Sequence, residues 1–416
     1  MKNRKIKTNY DLIVVGAGAA GMIAAIQAAR DGKKVLLLEK LSKIGTKLKA
    51  TGGGRCNLTN RLTNEEFIEH FGRDGRFMQD ALKEFDHHSL VEFFKNIGVQ
   101  THAPDGFRVF PISHNSTSII AALQNELDRL HVDLLCNQRV IELLHTKQQI
   151  SGVKTHQSSF FSLDVVVATG GLGYPSLGAQ GDGYVFSSEV GHKITDLYPA
   201  MMPLKTKQRW VKNCRADTIA KVLLHVDIKK YKKLKAVGDL IFTKDGIRGP
   251  VVLDFAREIT PLLSKYDEVP ILANLTRGMN EQDIDTHVKA EAIKNRDKTI
   301  GQIIATLVPE RVALELCLLC EVDPDAKLKS LRGDAKAKLI NYLAWTPLTI
   351  TGHDGFEMAM ITRGGISLKE IDPKTMQSKI LKGLYFCGEI LNLDGPCGGY
   401  NLQWSFSSGY LAGKLK

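Results

Sequence analysis

No stretch of the sequence approaches the run of roughly 20 apolar residues that a membrane-spanning helix requires, and its 416 residues hold no internal repeat or low-complexity tract. A helical membrane protein and a repeat array are excluded. Cysteine is scarce: the seven present are odd in number and lack framework spacing, which argues against a secreted disulfide scaffold. Cys317 and Cys320 make one C-x-x-C, but they sit inside the apolar run from Val312 to Cys320 and no second ligand pair accompanies them. The expectation is packing on a buried helix, and no metal. Acidic residues are also outnumbered, 45 against 56 basic, leaving a net charge of +11.

That charge is unevenly spread. Between Lys205 and Lys235 there are eleven Lys or Arg against only Asp217 and Asp227, a surplus of nine. The densest part, Lys229 to Lys235, lies between the apolar runs Val222 to Ile228 and Ala236 to Phe242, the arrangement of a hairpin turn. Such a turn is either simply solvated or a grip for an anionic partner such as nucleic acid. The first ten residues carry Lys2, Arg4, Lys5 and Lys7, and the apolar run that follows leads into a glycine motif instead of a cleavage site. With 43% hydrophobic and 24% charged residues, a soluble cytoplasmic protein of two or three domains is expected.

Asp11 to Val15 reads as a short strand, Gly16-Ala-Gly-Ala-Ala-Gly21 as a tight turn, Met22 to Arg30 as a helix, and Val35 to Leu38 as a second strand ending at Glu39. Residues 64 to 135 read mainly as amphipathic helices broken by a turn at Pro104-Asp-Gly106. Asp164 to Gly171 is a further buried strand ending on glycines. A β-rich, basic region follows from about residue 195. A helical one runs from about 280 to 343, with Pro309 suited to open a helix at its first position. After Trp345-Thr-Pro347 the β pattern returns, and Gly398 to Leu415 reads as a final helix. The expected architecture is α/β: a Rossmann-type domain in two parts, residues 1–195 and, with the returning β segment, 344–416, interrupted by a β-rich domain at 196–279 and a nested helical cap at 280–343.

The strand, glycine turn, helix and strand, closed by an acid about 20 residues on, form a dinucleotide-binding fingerprint. Gly16 permits the turn, Gly18 lets backbone approach a pyrophosphate, and Gly21 lets helix and strand pack closely; the helix N-terminus faces the phosphates. Glu39 accepts hydrogen bonds from ribose hydroxyls and repels a 2′-phosphate, which suits FAD or NAD better than NADP. NAD needs this unit alone, whereas FAD is longer and must be held by further segments. Three are present: Thr169-Gly170-Gly171 at a strand end, Gly388-Glu389 beyond another, and Gly398-Gly399-Tyr400-Asn401-Leu402 at the start of the last helix, whose dipole suits an anionic flavin edge. The run Thr51-Gly-Gly-Gly-Arg-Cys-Asn57 adds bare backbone beside polar side chains, as a close-lying flat cofactor would require.

These blocks, with Ala168 to Pro175, Gly181 to Tyr184, Gly246 to Pro250, Thr362 to Gly365 and Gly383 to Glu389, resemble over nearly the full length the bacterial FAD-dependent oxidoreductases that include aminoacetone oxidase and the BaiN-type bile-acid reductases, the YhiN-like flavoproteins. The resemblance implies a glutathione-reductase-like FAD domain with an inserted β-rich domain and helical cap. It implies that Gly52 to Asn57, thus Gly53, Gly54, Arg55, Cys56 and Asn57, wrap the pyrophosphate and approach the flavin, and that Val140 meets the adenine through its backbone. Ala17, Ala19, Ala20, Lys40 and Lys47 are counted with the cofactor residues.

Two positions depart from many relatives, where alanine and threonine are expected: Cys387 and Cys397. No Cys-x4-Cys begins at Cys56, which disfavours a disulfide reductase. Gly171 to Gly178 lacks the third glycine of a second fingerprint, so NADH or NADPH is expected to dock only transiently. Tyr174, Arg248, Arg363 and Cys397 are candidates for the substrate side, and His353 for an acid or base in a polar loop; no catalytic residue is assigned, because the flavin itself performs the redox step. The expected activity is two-electron hydride transfer between non-covalent FAD and a small organic substrate. The alternatives are an oxygen-using amine oxidase and a flavin-bearing tRNA-associated factor.

Overall fold

The structure, a computed structural model, describes residues 8–415; the basic residues Lys2, Arg4, Lys5 and Lys7 lie outside them. The chain forms two compact units, one running up to Leu197 and resuming at Ile361, the other Tyr198–Met360.

The first unit is built on a parallel sheet. β1 (Leu12–Val15), β2 (Val35–Leu38), β3 (Asp133–Leu135), β4 (Val165–Val167) and β5 (Leu384–Phe386) lie in the order β5-β4-β1-β2-β3. All but β3 are fully buried, as continuous β-branched and leucine runs require when both faces of a sheet are covered. The chain leaves β1 toward β2 and later returns on the other side as β4. A crevice therefore opens at the carboxyl ends of β1 and β4, the place where open α/β sheets bind ligands.

Four helices frame that crevice: α1 (Ala19–Arg30), α2 (Thr46–Ala50), α3 (Asp182–Glu189) and α4 (Tyr400–Gly413). α1 and α4 approach backbone to backbone. A methyl added at Gly409 would stand 2.3 Å from the Ala20 carbonyl oxygen, and one at Gly413 2.4 Å from that of Ala24. Small residues on both helices leave no other filler at the contact.

The segment expected to be mainly helical does hold helices at Asn64–Glu69, Gln79–Glu84, His87–Asn96 and Ser116–Arg129. It also contributes to a three-stranded sheet of Thr59–Asn60, Arg108–Pro111 and Thr101–His102, with Pro104-Asp-Gly106 turning between the last two. Strands of two to four residues are too short to show a period of two.

The second unit is a closed antiparallel barrel of Leu204–Thr206, Gly246–Arg248, Lys235–Phe242, Thr218–Val226, Val269–Asn274 and Thr346–His353, in that order around the ring. The helix Pro250–Tyr266 and those at Glu281–Lys294, Ile300–Ile304, Glu310–Leu319 and Gly333–Ala344 share one buried cluster with it. Pro309 is the N-cap of Glu310–Leu319, one residue before the first helical position expected for it. Cys317 and Cys320 are buried in this cluster, and burial pushes their thiols up to about 12 and about 11, so both stay protonated. Among the described residues no helix is long and apolar enough to cross a membrane, and no group of three or more His, Cys, Asp or Glu is placed to hold a metal ion.

The helix contact gives a direct test. Gly409→Ala should destabilise the protein by about 1–3 kcal/mol, the usual cost of overpacking, read as a lower thermal midpoint by circular dichroism; an unchanged midpoint would mean that α1 and α4 do not meet as closely as described.

Candidate functional site

The turn after β1 shows why its three glycines stand where they do. A Cβ on Gly16 (φ 103°) would lie 2.6 Å from the Ala168 carbonyl oxygen, and one on Gly21 1.9 Å from the Gly16 oxygen. These two are held by packing. At Gly18, by contrast, an added Cβ would meet nothing within 4 Å: its missing side chain leaves space over the N-terminus of α1. Because Val15 is in register with Val167, the turn Gly16–Gly21 lies beside Thr169-Gly170-Gly171. Gly170 also borders open space, whereas a Cβ on Gly171 would strike Thr362 Oγ1 at 2.4 Å and Glu389 Oε1 at 2.8 Å.

The loop after α2 repeats the pattern. Gly52, Gly53 and Gly54 all have positive φ, from 58° to 87°, which three consecutive side-chain-bearing residues would not adopt. Gly53 and Gly54 face open space. After Arg55 at φ −89°, Cys56 returns to a positive φ of 60°; it is buried, and burial raises its thiol to about 12, so it is no thiolate. Asn57, with its carboxamide oriented to satisfy both partners, donates to the Thr59 carbonyl and accepts from Gly399 N–H, each at 3.0 Å. Gly399, the N-cap of α4, tolerates no side chain, since a Cβ would lie 2.5 Å from the Thr59 backbone. The glycine loop and the start of α4 are thereby locked together. Asn401 closes the same corner, donating to the Gly395 oxygen and accepting from its N–H, both at 2.8 Å. Arg55 is exposed, its guanidinium 5.6 Å from the Phe110 ring centre.

The charged groups are paired. Glu39 accepts from Ala17 N–H and Leu41 N–H, each at 2.9 Å, which fixes its carboxylate at the end of β2 beside the fingerprint turn. Glu389 accepts from Thr362 N–H at 2.9 Å and from Lys47 Nζ at 2.7 Å. Lys40 meets Asp182 at the start of α3 at 2.5 Å, and Arg139 meets the same carboxylate at 2.6 Å. Gly388 N–H donates to Ser408 Oγ on α4, and its α-carbon faces Ala20 of α1. Ala17 and Ala20 are buried, Ala19 half-buried. Val140 opens the strand Val140–His145, buried and paired with Thr155. Leu402 is half-buried in the first turn of α4.

Of the substrate-side candidates, Tyr174 is held in the left-handed region at φ 55°, and Arg363 has Asp394 at 3.9 Å. Cys397 is half-buried, on the loop before α4. Cys387 is wholly buried and its thiol is raised by burial. Arg248 lies in the other unit, exposed on Gly246–Arg248. His353 is not in a loop but ends the strand Thr346–His353, and its Nδ1 accepts from Gly355 N–H at 3.0 Å. Thr362, whose Oγ1 accepts from Leu172 N–H at 2.7 Å, is a buried member of the cradle that only its place before Arg363-Gly-Gly365 could have signalled. A cavity of about 620 Å³ lined by Arg61, His87, His88 and His102 among others contains none of the expected cofactor residues.

One further arrangement has the form of a nucleophilic triad. Ser378 Oγ is 2.8 Å from His192 Nε2, and His192 Nδ1 is 3.2 Å from Glu370. However, Ser378 is 5% exposed and its Oγ already accepts from Ile380 and Leu381 N–H, so the group is a structural staple, not a site. Residues 178 and 186 positions apart gave no sequence signal.

Bare backbone at the carboxyl ends of β1 and β4, a helix N-terminus and an acid after β2 define a Rossmann-type flavin-nucleotide fold. The model of the HI0933-like protein Rossmann domain matches residues 10–415. The chain is 31% identical over 404 residues to the 3-dehydro-bile acid delta(4,6)-reductase of Clostridium scindens, covering 96% of this chain and 97% of that protein. It is 28% identical over 402 residues to the ribosomal RNA dihydrouridine synthase of Haemophilus influenzae, covering 96% of each. Among solved structures, the 3-ketosteroid-delta4-(5alpha)-dehydrogenase of Rhodococcus jostii, in complex with 4-androstene-3,17-dione, superimposes with a TM-score of 0.53 at 14% identity, over 100% of this chain and 98% of that one; this likeness is one of fold. The chain belongs to the HI0933-like Rossmann family of FAD-dependent oxidoreductases.

The staple carries a pH dependence. Burial holds His192 below the ordinary imidazole value, outweighing Glu370, which acts the other way. The unfolded chain therefore takes up its proton first as pH falls below about 6.5. The stability contributed by neutral His192 is full above that pH and is lost as pH falls toward the lowered folded value. The thermal midpoint should drop between about pH 7.5 and about pH 5.5, and His192→Gln should flatten that drop; equal slopes in the two proteins would remove His192 as the cause.

Proposed function

We propose that the chain holds FAD non-covalently in this cradle and uses it to reduce a carbon–carbon double bond conjugated to a carbonyl, with electrons drawn from NADH or NADPH. The observation that carries the cofactor assignment is the set of glycines at positions 18, 53, 54 and 170 whose missing side chains border open space, on backbone otherwise packed to contact. In this reading the turn Gly16–Gly21 and the N-terminus of α1 take the pyrophosphate, with Gly53 to Asn57 against its other side. Glu39 turns from the backbone N–H groups it now satisfies to accept from ribose hydroxyls, Val140 meets the adenine through its backbone, and Glu389 with Lys47 holds the polyol chain. Thr169 to Gly171, Gly388 and the start of α4 from Gly399 to Leu402 border the ring, where the helix dipole favours developing negative charge. Tyr174, Arg363 and Cys397 are the candidates to meet the substrate.

FAD, when bound, supplies the two-electron chemistry. The preference for reduction rests on the shared chemistry of two relatives: a delta(4,6)-reductase acting on a 3-dehydro-bile acid and a synthase forming dihydrouridine both add two hydrogens across a double bond conjugated to a carbonyl. No second glycine fingerprint is present to retain a nicotinamide nucleotide, so the donor binds shallowly.

The purified protein should be yellow and release FAD on denaturation, identified by mass. Glu39→Ala should weaken FAD retention by about 1–3 kcal/mol, the scale of one hydrogen bond to a charged group; release of NAD, or of nothing after reconstitution, defeats the assignment. Anaerobic NADH or NADPH should bleach the flavin band at a rate still rising at about millimolar donor, near the upper end of the usual KM range, and an α,β-unsaturated ketone should restore it. Rapid bleaching by aminoacetone with none by either nucleotide would replace the reductase by an amine oxidase.

A further inference from the structure

The redox reading leaves the most charged part of the chain without a role. The turn between the barrel strands Thr218–Val226 and Lys235–Phe242 is a lysine-rich hairpin end, with a short helical turn at Lys229–Tyr231. Lys229, Lys230, Lys232, Lys233 and Lys235 are all exposed, and among the described residues none of the five forms an ion pair. Some basic residues elsewhere in the same unit do find acids: Lys205 meets Asp354, Lys207 meets Glu268, and Arg311 takes Asp217, one of the two acids of the basic segment. That leaves Asp227 at the foot of the turn as the one acid within Lys205–Lys235 not so engaged. Five like charges on one turn repel one another and add nothing to a barrel whose strands are already paired.

Two aromatic rings stand among these charges. Tyr231, in the turn, and Tyr266, the last residue of the helix Pro250–Tyr266, meet edge to face with ring centres 6.1 Å apart. Lys230 lies 5.6 Å from the centre of the Tyr231 ring and Lys265 5.1 Å from that of Tyr266, while Lys265 Nζ is 3.5 Å from the Tyr231 hydroxyl. Tyr266 is 37% exposed and Tyr231 half-buried. Cations alternating with partly open aromatic faces match a backbone of regularly spaced phosphates carrying flat bases, since phosphates take the ammonium groups and an unpaired base stacks on a ring. A lipid surface would call for several large apolar side chains to insert, and apart from the tyrosines the turn and the strand that follows it expose only Val237.

We propose that this surface of the barrel unit, the lysines of the 229–235 turn with Tyr231 and Tyr266, binds single-stranded nucleic acid. The lysines hold the phosphates and the two rings receive unpaired bases, with little preference among sequences. The inference does not rest on the redox reading.

The test uses the full chain loaded with FAD and fluorescein-labelled oligo(U) and oligo(dT) of about 20 nucleotides, followed by anisotropy from about 50 to about 300 mM KCl. Binding should weaken steeply with salt. Replacing Lys229, Lys230, Lys232 and Lys233 by serine should lower the slope of log affinity against log salt by up to about 3, at roughly 0.7 per phosphate on a single strand. Tyr231→Ala and Tyr266→Ala should each weaken binding about tenfold at fixed salt while leaving the slope unchanged, as loss of stacking requires, and Tyr231→Phe should retain the parent affinity. Flavin content, thermal midpoint and bleaching by NADH should match the parent in the lysine variant; if Tyr231→Ala fails to fold, the lysine set and Tyr266→Ala decide. Tighter binding of oligo(U) points to RNA as the partner and tighter binding of oligo(dT) to DNA, either in support. The proposal is overturned by absent binding at the lowest salt, by binding indifferent to these substitutions, by preference for a duplex of the same length, or by attachment to phosphatidylserine-containing vesicles without oligonucleotide binding. Loss of NADH bleaching in a protein that still binds the oligonucleotides sinks the redox reading alone.

Discussion

The first unit depends on backbone meeting backbone with nothing between. Gly16 lies against Ala168, Gly399 against Thr59, and Gly409 and Gly413 against α1. Each contact joins segments far apart in the chain, and each is closed to any residue larger than glycine. A crevice walled in this way presents N–H and C=O groups instead of side chains, so its polarity comes from fixed dipoles that need no reorganisation when a polar guest arrives. The same close packing separates two kinds of glycine in the site. Those at 16, 21 and 171 hold the walls together, while those at 18, 53, 54 and 170 keep the interior clear.

Around these walls the charged residues are tied to one another. Lys47 with Glu389, Lys40 and Arg139 with Asp182, and Glu39 with two backbone N–H groups each link a different element to the sheet ends. Such pairs orient more than they stabilise, since partly exposed ion pairs are worth little in net energy. The barrel unit contrasts with this economy: its exposed hairpin lysines form no ion pair among the described residues.

Much of the candidate site's backbone was legible because it is local. The spacing from Gly16 to Gly21 and on to Glu39 encodes strand, turn, helix and strand within 30 residues, a span over which period and turn chemistry are reliable guides. The positive-φ run at Gly52 to Gly54 was readable for the same reason, as only glycine accepts that path. What escaped was non-local or very short. The barrel appeared only as a β-rich region, since its closure pairs Leu204–Thr206 with both Gly246–Arg248 and Thr346–His353 across as many as about 150 residues. The chain Ser378–His192–Glu370, the two- and four-residue strands around Pro104, and the strand position of His353 depend on tertiary partners that no window contains.

The sheet's edge strand β5 and the helix α4 that packs on α1 both lie beyond residue 380, while their partners β4 and α1 are made within the first 170. A nascent chain must therefore synthesise the entire barrel unit before its founding domain can be finished, and until then β4 has an open edge and α1 a bare small-residue face. Because domains tend to fold as they emerge, the barrel can mature first while the N-terminal part waits incomplete. Assembly of the cradle is consequently a late event on the ribosome, set by the arrival of β5 and α4, and a synthesis interrupted before them would leave the sheet edge open and the cradle unfinished.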